Sequence, residues 1–246
     1  MRHHPGAAQI IVVLLACITV IALPGSGRRG DAAPLRPDVV IVGDSLTGGN
    51  VSYIAPTLRA AGIDAQVEGL SARRIAVSFN FHGLRDSGIA RIRSVMASGV
   101  EPKMWVIQLG TNDLGVVQNC ACPDSRVFAG ELIDQLLAEI GEDAPTAWVT
   151  LVDSSRPDIA NAFNVALDDR SIRHSNMTTI RWHELARHHP EWFQDAVHPN
   201  FVGVTKFTDM YVREIRRLLD NFPRPADPNS TNDLQRAKRL GFDFGF

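Results

Sequence analysis

Three short motifs contain polar residues of the types that acyl transfer requires. Residues 43–46 read Gly-Asp-Ser-Leu, residues 110–113 read Gly-Thr-Asn-Asp, and residues 195–199 read Asp-Ala-Val-His-Pro. A serine hydroxyl can act as a nucleophile, a histidine as its base and an aspartate as the group that orients the histidine. An asparagine amide can stabilise the negative charge that develops on the attacked oxygen. Together the three motifs predict a site for acyl transfer through a serine nucleophile.

Each of these residues also has a simpler structural interpretation. Ser45 is a residue type that caps helix N-termini. Asn112 is of the kind that forms a turn after a strand. Asp195 and His198 would then lie on a surface loop ahead of the last helix. A catalytic role requires that all of these side chains meet in space.

The segments around the motifs predict alternating strands and helices. Strands are expected at 38–42, 64–67, 104–109, 147–152 and 178–182. Helices are expected at 52–61, 84–97, 126–140, 158–169 and 201–219. Short apolar strands that alternate with helices predict an α/β fold with a parallel sheet covered on both faces. Ligands of such sheets bind beyond the carboxyl ends of the strands, where two of the motifs begin.

Length and composition limit the classes of protein that the chain can belong to. The chain has 246 residues, of which 45% are hydrophobic and 21% are charged. These values predict one globular domain and exclude a mainly disordered chain. The net charge is −2, and the sequence has no long basic run, so no nucleic-acid partner is expected.

The two ends differ in composition from the middle of the chain. Residues 1–33 combine a basic start with a nearly continuous apolar run at 10–23, which includes Cys17. This pattern predicts a signal peptide or, alternatively, an uncleaved N-terminal anchor that associates the protein with a membrane or cell wall. The predicted domain spans 34–220, and the proline-rich segment 221–246 is expected to be a flexible tail. The predicted location is secreted or extracytoplasmic.

Two cysteines remain outside the N-terminal segment, Cys120 and Cys122. In an oxidising compartment such a pair predicts a local disulfide rather than a metal site. The histidines near 183–189 do not have the zinc-protease spacing, because Arg187 stands where the second histidine would be needed. No metal ion or cofactor is therefore expected.

The three motifs resemble, in order and spacing, the first, third and fifth sequence blocks of the SGNH, or GDSL, hydrolase family. The resemblance implies a flavodoxin-like three-layer α/β/α sandwich with a five-stranded parallel sheet. It also implies that Ser45 is the nucleophile, His198 the base, Asp195 its orienting partner and Asn112 an oxyanion-hole donor. The family's second block normally supplies a glycine whose backbone N–H joins this hole. Ala72 stands at that position, which is a departure from the pattern.

Arg73 and Arg74 follow this position and are expected at the rim of the substrate site. They would either contact an anionic or sugar-rich substrate or belong to a solvated loop. The segments 47–50 and 119–126 are also polar, and only 79–81 and 192–193 offer aromatic residues for an acyl pocket. A polar rim cannot bury a long acyl chain.

The leading hypothesis is an exported serine esterase or deacylase that acts on short-chain acyl esters of a small molecule or glycan. The first alternative is an O-acyltransferase that forms the same acyl-serine and passes the acyl group to a cell-wall sugar hydroxyl. The second alternative is an inactive binding module with the same fold. It would be favoured if Ser45, His198 and Asn112 did not converge.

Overall fold

The computed structural model describes residues 35–77, 79–81 and 84–222. The predictions for the N-terminal segment 1–33, including Cys17, and for the tail from 223 onward lie outside the described residues. Within the described part of the chain, no helix combines the length and the apolar character needed to cross a membrane.

Five parallel strands form the central sheet, in the spatial order β2-β1-β5-β6-β7. They are β1 (Val39–Gly43), β2 (Ala65–Gly69), β5 (Met104–Gln108), β6 (Thr146–Val149) and β7 (Met177–Ile180). Strand β1 lies between β2 and β5, which are the second and third strands of this sheet in chain order, and this is the flavodoxin-like order. The predicted five-stranded parallel sheet is therefore confirmed.

Helices cover both faces of the sheet. In the described part of the chain the α-helices are α1 (Ser45–Gly48), α2 (Val51–Ala60), α3 (Gly88–Ala97), α4 (Leu114–Gln118), α5 (Ser125–Ile140), α6 (Pro157–Arg173), α7 (Trp182–Ala186) and α8 (Phe201–Asn221). Buried side chains of α3, α4, α5 and α6 form one apolar cluster, and those of α2, α7 and α8 form the other. The sheet is thus the middle of three layers.

Strand β1 shows why the sheet needs helices on both sides. Val40 and Val42 belong to the cluster under α5 and α6, whereas Val39 and Ile41 belong to the cluster under α8. Successive strand side chains point to opposite faces, so a continuous apolar run buries both of them. All four side chains are fully buried.

The helix predicted at 84–97 begins later than expected. Leu84–Asp86 is a strand, β4, which pairs antiparallel with β3 (Phe79–Phe81). Helix α3 starts only at Gly88, because the Ser87 side chain caps it by accepting a hydrogen bond from the Ala90 amide. Asp86 forms ion pairs with Arg73 and Arg91, and these contacts hold it outside the helix.

Candidate active site

Ser45 is the first residue of α1, and only the capping residue Asp44 separates it from the end of β1. Asp44 caps this short helix by accepting a hydrogen bond from the Leu46 amide at 3.0 Å. Gly43 lies against the Thr47 side chain so closely that a Cβ atom would overlap it. The glycine and aspartate of the motif therefore shape a tight turn that places the serine at the carboxyl edge of the sheet.

A buried polar layer lies beneath this turn. The Thr47 hydroxyl donates to the Gln108 side-chain oxygen at 3.0 Å, and the Asp44 amide donates to the Gln108 carbonyl at 3.1 Å. These contacts join the nucleophile turn to β5, the neighbouring strand. Burial raises the pKa of Asp44 to about 6, although hydrogen bonds, first that from the Leu46 amide, act in the opposite direction.

His198 lies within hydrogen-bonding distance of Ser45. Its Nε2 atom is 2.9 Å from the Ser45 Oγ, and its Nδ1 atom is 2.8 Å from the Asp195 Oδ2. The other oxygen of Asp195 accepts hydrogen bonds from the backbone amides of His198 and Val197. These bonds, led by that from the His198 amide, lower the pKa of Asp195. An ionised Asp195 makes Nδ1 the donor, which leaves the Nε2 lone pair to accept the serine proton.

Backbone hydrogen bonds hold the loop that carries Asp195 and His198. The Gln194 amide donates to the His198 carbonyl at 2.9 Å, and the Ser154 amide donates to the Ala196 carbonyl at 3.0 Å. The aromatic residues before the loop pack inward, since Trp192 and Phe193 both contact the ring of Trp182. They support the loop from the side of Trp182, and a role for them in an acyl pocket stays a prediction. The side chains of the other candidate pocket segment, 79–81, lie outside the described residues.

Asn112 lies in a short 3-10 helix, Thr111–Asp113, that follows β5. Gly110 precedes it with φ +124°, a conformation that favours glycine, and a Cβ there would collide with Phe163. The Asn112 Nδ2 donates to the backbone carbonyl of Arg73 at 3.2 Å. One hydrogen of the amide is thus engaged, and the second remains for another acceptor.

Ala72 has a left-handed backbone conformation, with φ +61°. Glycine adopts this conformation without the steric cost that a Cβ brings, which is roughly 1–2 kcal/mol. The conformation explains why a glycine is expected at this position, and it shows that the alanine is strained. The Asn112 contact to Arg73 places the loop 70–75 beside the 3-10 helix; a donor role for Ala72 stays a prediction.

The prediction that Arg73 lies at the substrate rim is wrong. Its side chain is only 2% exposed and is directed under the loop, where the guanidinium binds backbone carbonyls and Asp86. The side chain turns inward because the Gly43 and Glu68 carbonyls, near the ends of β1 and β2, and the Asp86 carboxylate bind the guanidinium there. Arg74 is half-buried, and its charge acts on Asp113 by lowering the pKa of that carboxyl group. A substrate contact by Arg74 stays a prediction.

Asp113 has a role that its motif did not reveal. Both of its carboxyl oxygens accept a hydrogen bond from the Ile75 amide, at 3.3 and 3.2 Å. Burial raises the pKa of Asp113 to about 7, against the opposing effect of that hydrogen bond. Asn112 and Asp113 thus bind opposite ends of the segment 73–75.

We expect Asp113→Asn to reduce the pH dependence of stability. The pKa of Asp113 rises from 3.8 to about 7 on folding, so the folded state binds the proton more tightly. The free energy of unfolding should therefore fall as pH rises between these two values. Asparagine keeps an acceptor for the Ile75 amide and carries no charge. The difference in Tm, variant minus wild type, should be larger at pH 8 than at pH 5.

Asp64→Asn is the matched control for this measurement, because Asp64 is exposed. It should leave the slope of Tm against pH unchanged. Parallel Tm curves for Asp113→Asn and wild type would contradict the role assigned to burial.

Sequence reasoning also missed an exposed aromatic residue beside the histidine loop. Phe201, the first residue of α8, is 78% exposed and lies edge-on to Tyr53, with ring centroids 6.3 Å apart. Its neighbour Val202 is also exposed, as is Val51 at the start of α2. In the sequence, the exposed position of Phe201 could have been inferred only from the predicted start of a helix at 201, three residues after His198.

The cysteine pair lies between α4 and α5, after the 3-10 helix that carries Asn112. The Cα atoms of Cys120 and Cys122 are 5.1 Å apart and their sulfur atoms lie side by side. Such a Cα separation is compatible with a disulfide; the bridge in exported protein stays a prediction. Among the described residues, no three His, Cys, Asp or Glu side chains are grouped as metal ligands would be.

Comparison with solved structures gives several matches of similar fold. The chain resembles the C-terminal catalytic domain of peptidoglycan O-acetyltransferase A from Streptococcus pneumoniae, with a TM-score of 0.58 and 15% identity. That match covers 76% of this chain and 96% of the other. A carbohydrate acetylesterase family member from Sinorhizobium meliloti has a TM-score of 0.58 and 18% identity, with 76% and 99% coverage.

A third similar structure is a lipolytic protein of the G-D-S-L family from Veillonella parvula. Its TM-score is 0.55 at 17% identity, and the match covers 75% of this chain and 100% of the other. No protein-family model matches the sequence, and no curated protein is significantly similar to it. The likeness at these identities concerns the fold. The chain therefore has the fold of the SGNH/GDSL hydrolases, as the resemblance of its three motifs predicts.

Proposed function

We propose that the protein is a serine ester hydrolase that works through an acyl-serine intermediate on Ser45. The observation that carries this proposal is the hydrogen-bonded series from the Ser45 Oγ through the His198 ring to the Asp195 carboxylate. Its three members come from the two ends of the domain and meet at the carboxyl edge of the sheet. A binding module would not require this arrangement, so the convergence disfavours that alternative.

In the proposed acylation step, the Ser45 Oγ attacks the ester carbonyl while His198 Nε2 takes the hydroxyl proton. The new C–O bond converts the carbonyl to a tetrahedral oxyanion, which the free hydrogen of the Asn112 amide stabilises. Collapse of this intermediate breaks the bond to the alcohol, and His198 gives the proton to the leaving oxygen. Asp195 keeps the ring oriented and stabilises its charged form.

In the second half-reaction, water attacks the acyl-serine and His198 again takes and returns the proton. The acid is released and Ser45 regains its hydrogen. The reaction consumes one water and needs no group beyond the side chains named. A sugar hydroxyl in place of this water would make the protein an O-acyltransferase.

The proposed substrates are short-chain esters of a polar alcohol, such as acetylated glycans. Three prominent cavities in the described part of the chain, of about 600, 250 and 820 Å³, are lined by other residues than Ser45, Asn112 and His198. In this proposal the site is an open edge with a polar rim, where a long acyl chain has little apolar surface to bury. Two similar structures are described as a carbohydrate acetylesterase and a peptidoglycan O-acetyltransferase, which supports the same substrate class.

We expect kcat/KM to be highest for the shortest acyl groups. The comparison uses p-nitrophenyl acetate, butyrate, octanoate and palmitate on the purified protein. Acetyl and butyryl esters should be preferred, because each further methylene gains affinity only where it is buried. A maximum at octanoyl or longer would contradict this, and would show that the exposed apolar residues Val51, Phe201 and Val202 bind the chain.

The proposed function is tested by acetyl-ester hydrolysis with wild type and Ser45→Ala side by side. Loss of the acetyl group from acetylated glycan fragments would support the hydrolase proposal. Transfer of acetyl from p-nitrophenyl acetate to an added glycan, seen as a 42-dalton gain typical of acetylation, would favour the acyltransferase. Equal rates with wild type and Ser45→Ala would refute both.

The proposal places the enzyme outside the cytoplasm, secreted or held at a membrane or cell wall by its N-terminal segment. This part rests only on the sequence pattern of residues 1–33. The Cys120 and Cys122 pair fits the same location, because an oxidising compartment is where a disulfide would persist.

A further inference from the structure

The guanidinium of Arg73 is buried at the carboxyl edge of the sheet, beneath the loop 70–75. Its Nη1 donates to the Gly43 carbonyl at 2.8 Å and also to the Glu68 carbonyl. Its Nη2 forms an ion pair with Asp86 at 3.0 Å. One side chain therefore connects the ends of β1 and β2 with strand β4.

Burying this charge is costly, and its contacts show what compensates for the cost. Burial lowers the pKa of Arg73, while the nearby Asp86 carboxylate acts in the opposite direction. A buried cation is tolerated where it is paired and hydrogen-bonded. Only the Nε atom of Arg73 has no hydrogen-bond partner among the described residues. A lysine could keep the charge but not the branched set of donors.

The loop above this guanidinium contains the strained residue Ala72, with φ +61°. Strained backbone persists only where its surroundings hold it in place. On the side of β1, the Leu70 amide donates to the Gly43 carbonyl at 3.1 Å. That carbonyl also accepts the Arg73 Nη1, so it receives hydrogen bonds from both flanks of Ala72.

The opposite side of the loop is bound by the 3-10 helix. Asn112 donates to the Arg73 carbonyl at 3.2 Å, and Asp113 accepts from the Ile75 amide. Arg73 takes part in the contacts on both sides of the loop. Its side chain binds the Gly43 carbonyl of β1, and its own carbonyl accepts the hydrogen bond from Asn112. Any shift of Arg73 would therefore move both the residue 72 amide and the Asn112 amide relative to Ser45.

We propose that Arg73 is a positioning residue for the oxyanion hole. Its buried guanidinium keeps Ala72 in the left-handed conformation and keeps the Arg73 carbonyl in register with the Asn112 amide. Arg73 does not touch the substrate in this proposal and acts through these two donors. The inference rests on the proposed ester hydrolysis at Ser45.

Arg73→Lys tests the proposal, with steady-state hydrolysis of p-nitrophenyl acetate by the purified protein as the assay. We expect kcat to fall about 10- to 100-fold, as a displacement of catalytic groups by about 1 Å can cause. The KM should change little, because the donors act in the transition state. The assay temperature is kept well below the Tm of each variant.

Arg91→Lys is the matched control. Arg91 shares the Asp86 carboxylate with Arg73 and also pairs with the Glu68 side chain at 3.6 Å; among the described residues it makes no hydrogen bond or ion pair with Gly43 or with the loop 70–75. Its replacement should lower Tm and leave kcat near that of wild type. If Arg73→Lys does not fold, Asp86→Asn weakens the same guanidinium from its other end, and it should lower kcat more than Arg91→Lys does.

Ala72→Gly provides a second test in the Arg73→Lys background. Glycine adopts a positive φ without the Cβ penalty, so it should recover part of the lost kcat in addition to any gain in Tm from the relieved strain. A solely structural Arg73 would give a lower Tm with normal kcat, and Ala72→Gly would then change Tm without changing kcat. That result, in protein whose wild type hydrolyses the ester, would overturn the positioning role alone. A wild type without any esterase activity would instead overturn the proposed function.

Discussion

Ser45→Ala and His198→Ala should each lower kcat for acyl-ester hydrolysis by about 10⁴-fold or more. The Ser45 Oγ and the His198 Nε2 are 2.9 Å apart, so they are placed to act as one unit. Because the nucleophile needs its base, removing either side chain should abolish most of the catalysis. The kcat of the double variant should therefore be about as low as that of each single variant. The measurement is steady-state hydrolysis of p-nitrophenyl acetate.

Asp195→Asn should lower kcat less than either of these changes does. Its kcat should remain roughly 10- to 100-fold above that of Ser45→Ala or His198→Ala. Asparagine can still accept the hydrogen bonds that the His198 and Val197 amides now donate to Asp195. Its amide group cannot stabilise the charged imidazole as a carboxylate does. The loop should therefore keep its shape while part of the catalytic advantage is lost.

Circular dichroism and Tm must accompany these assays, because a misfolded variant is inactive for a trivial reason. Ser154→Ala is the matched control, since Ser154 contacts the histidine loop at Ala196 without touching the reacting groups. It should retain activity. Full activity of folded Ser45→Ala would exclude the acyl-serine mechanism.

Asn112→Ala should lower kcat by about 10²- to 10³-fold, the usual cost of losing one oxyanion donor. One amide hydrogen binds the Arg73 carbonyl, and this contact directs the other away from the loop. Removing the side chain therefore deletes the donor and also releases the segment it holds. The KM should be affected much less, because the oxyanion forms only in the transition state.

Asn119→Ala serves as the control for this change. Asn119 is an exposed amide that binds the Gly115 carbonyl at the end of α4, close to Asn112 in the chain. Its removal should leave kcat within about twofold, as expected for a surface substitution with little effect on stability. A similar loss of kcat in both variants would mean that Asn112 contributes to local stability and not to the oxyanion hole.

The sequence predicted most of the fold because its strands are short and the central ones, such as β1, are apolar on both faces. Residues such as Val39 to Val42 cannot be exposed on either side, so helices must cover the sheet. The beginning of α3 was missed because 84–86 has a helix-compatible composition. Only the pairing with Phe79–Phe81 and the ion pairs of Asp86 make it a strand.

For the candidate site, the sequence alone determined which residues lie at the carboxyl edge. Ser45 and Asn112 come shortly after the ends of β1 and β5, so local spacing placed them at that edge, whereas for Asp195 and His198 it predicted only that they share one loop. Their distances came from the tertiary structure, since Ser45 and His198 are 153 positions apart. The conformation of Ala72 was likewise undetermined until the loop was seen bound between β1 and the 3-10 helix.

Arg73 shows best what only the tertiary structure decided. From the sequence alone, an arginine in a short polar segment such as 71–74 is typical of a solvated loop. Its direction depends on acceptors that exist only when β1 and β2 are paired, because the Gly43 and Glu68 carbonyls then end at the same edge. With Asp86 brought beside them, burying the guanidinium satisfies three acceptors at once, and the side chain turns inward instead of toward the substrate.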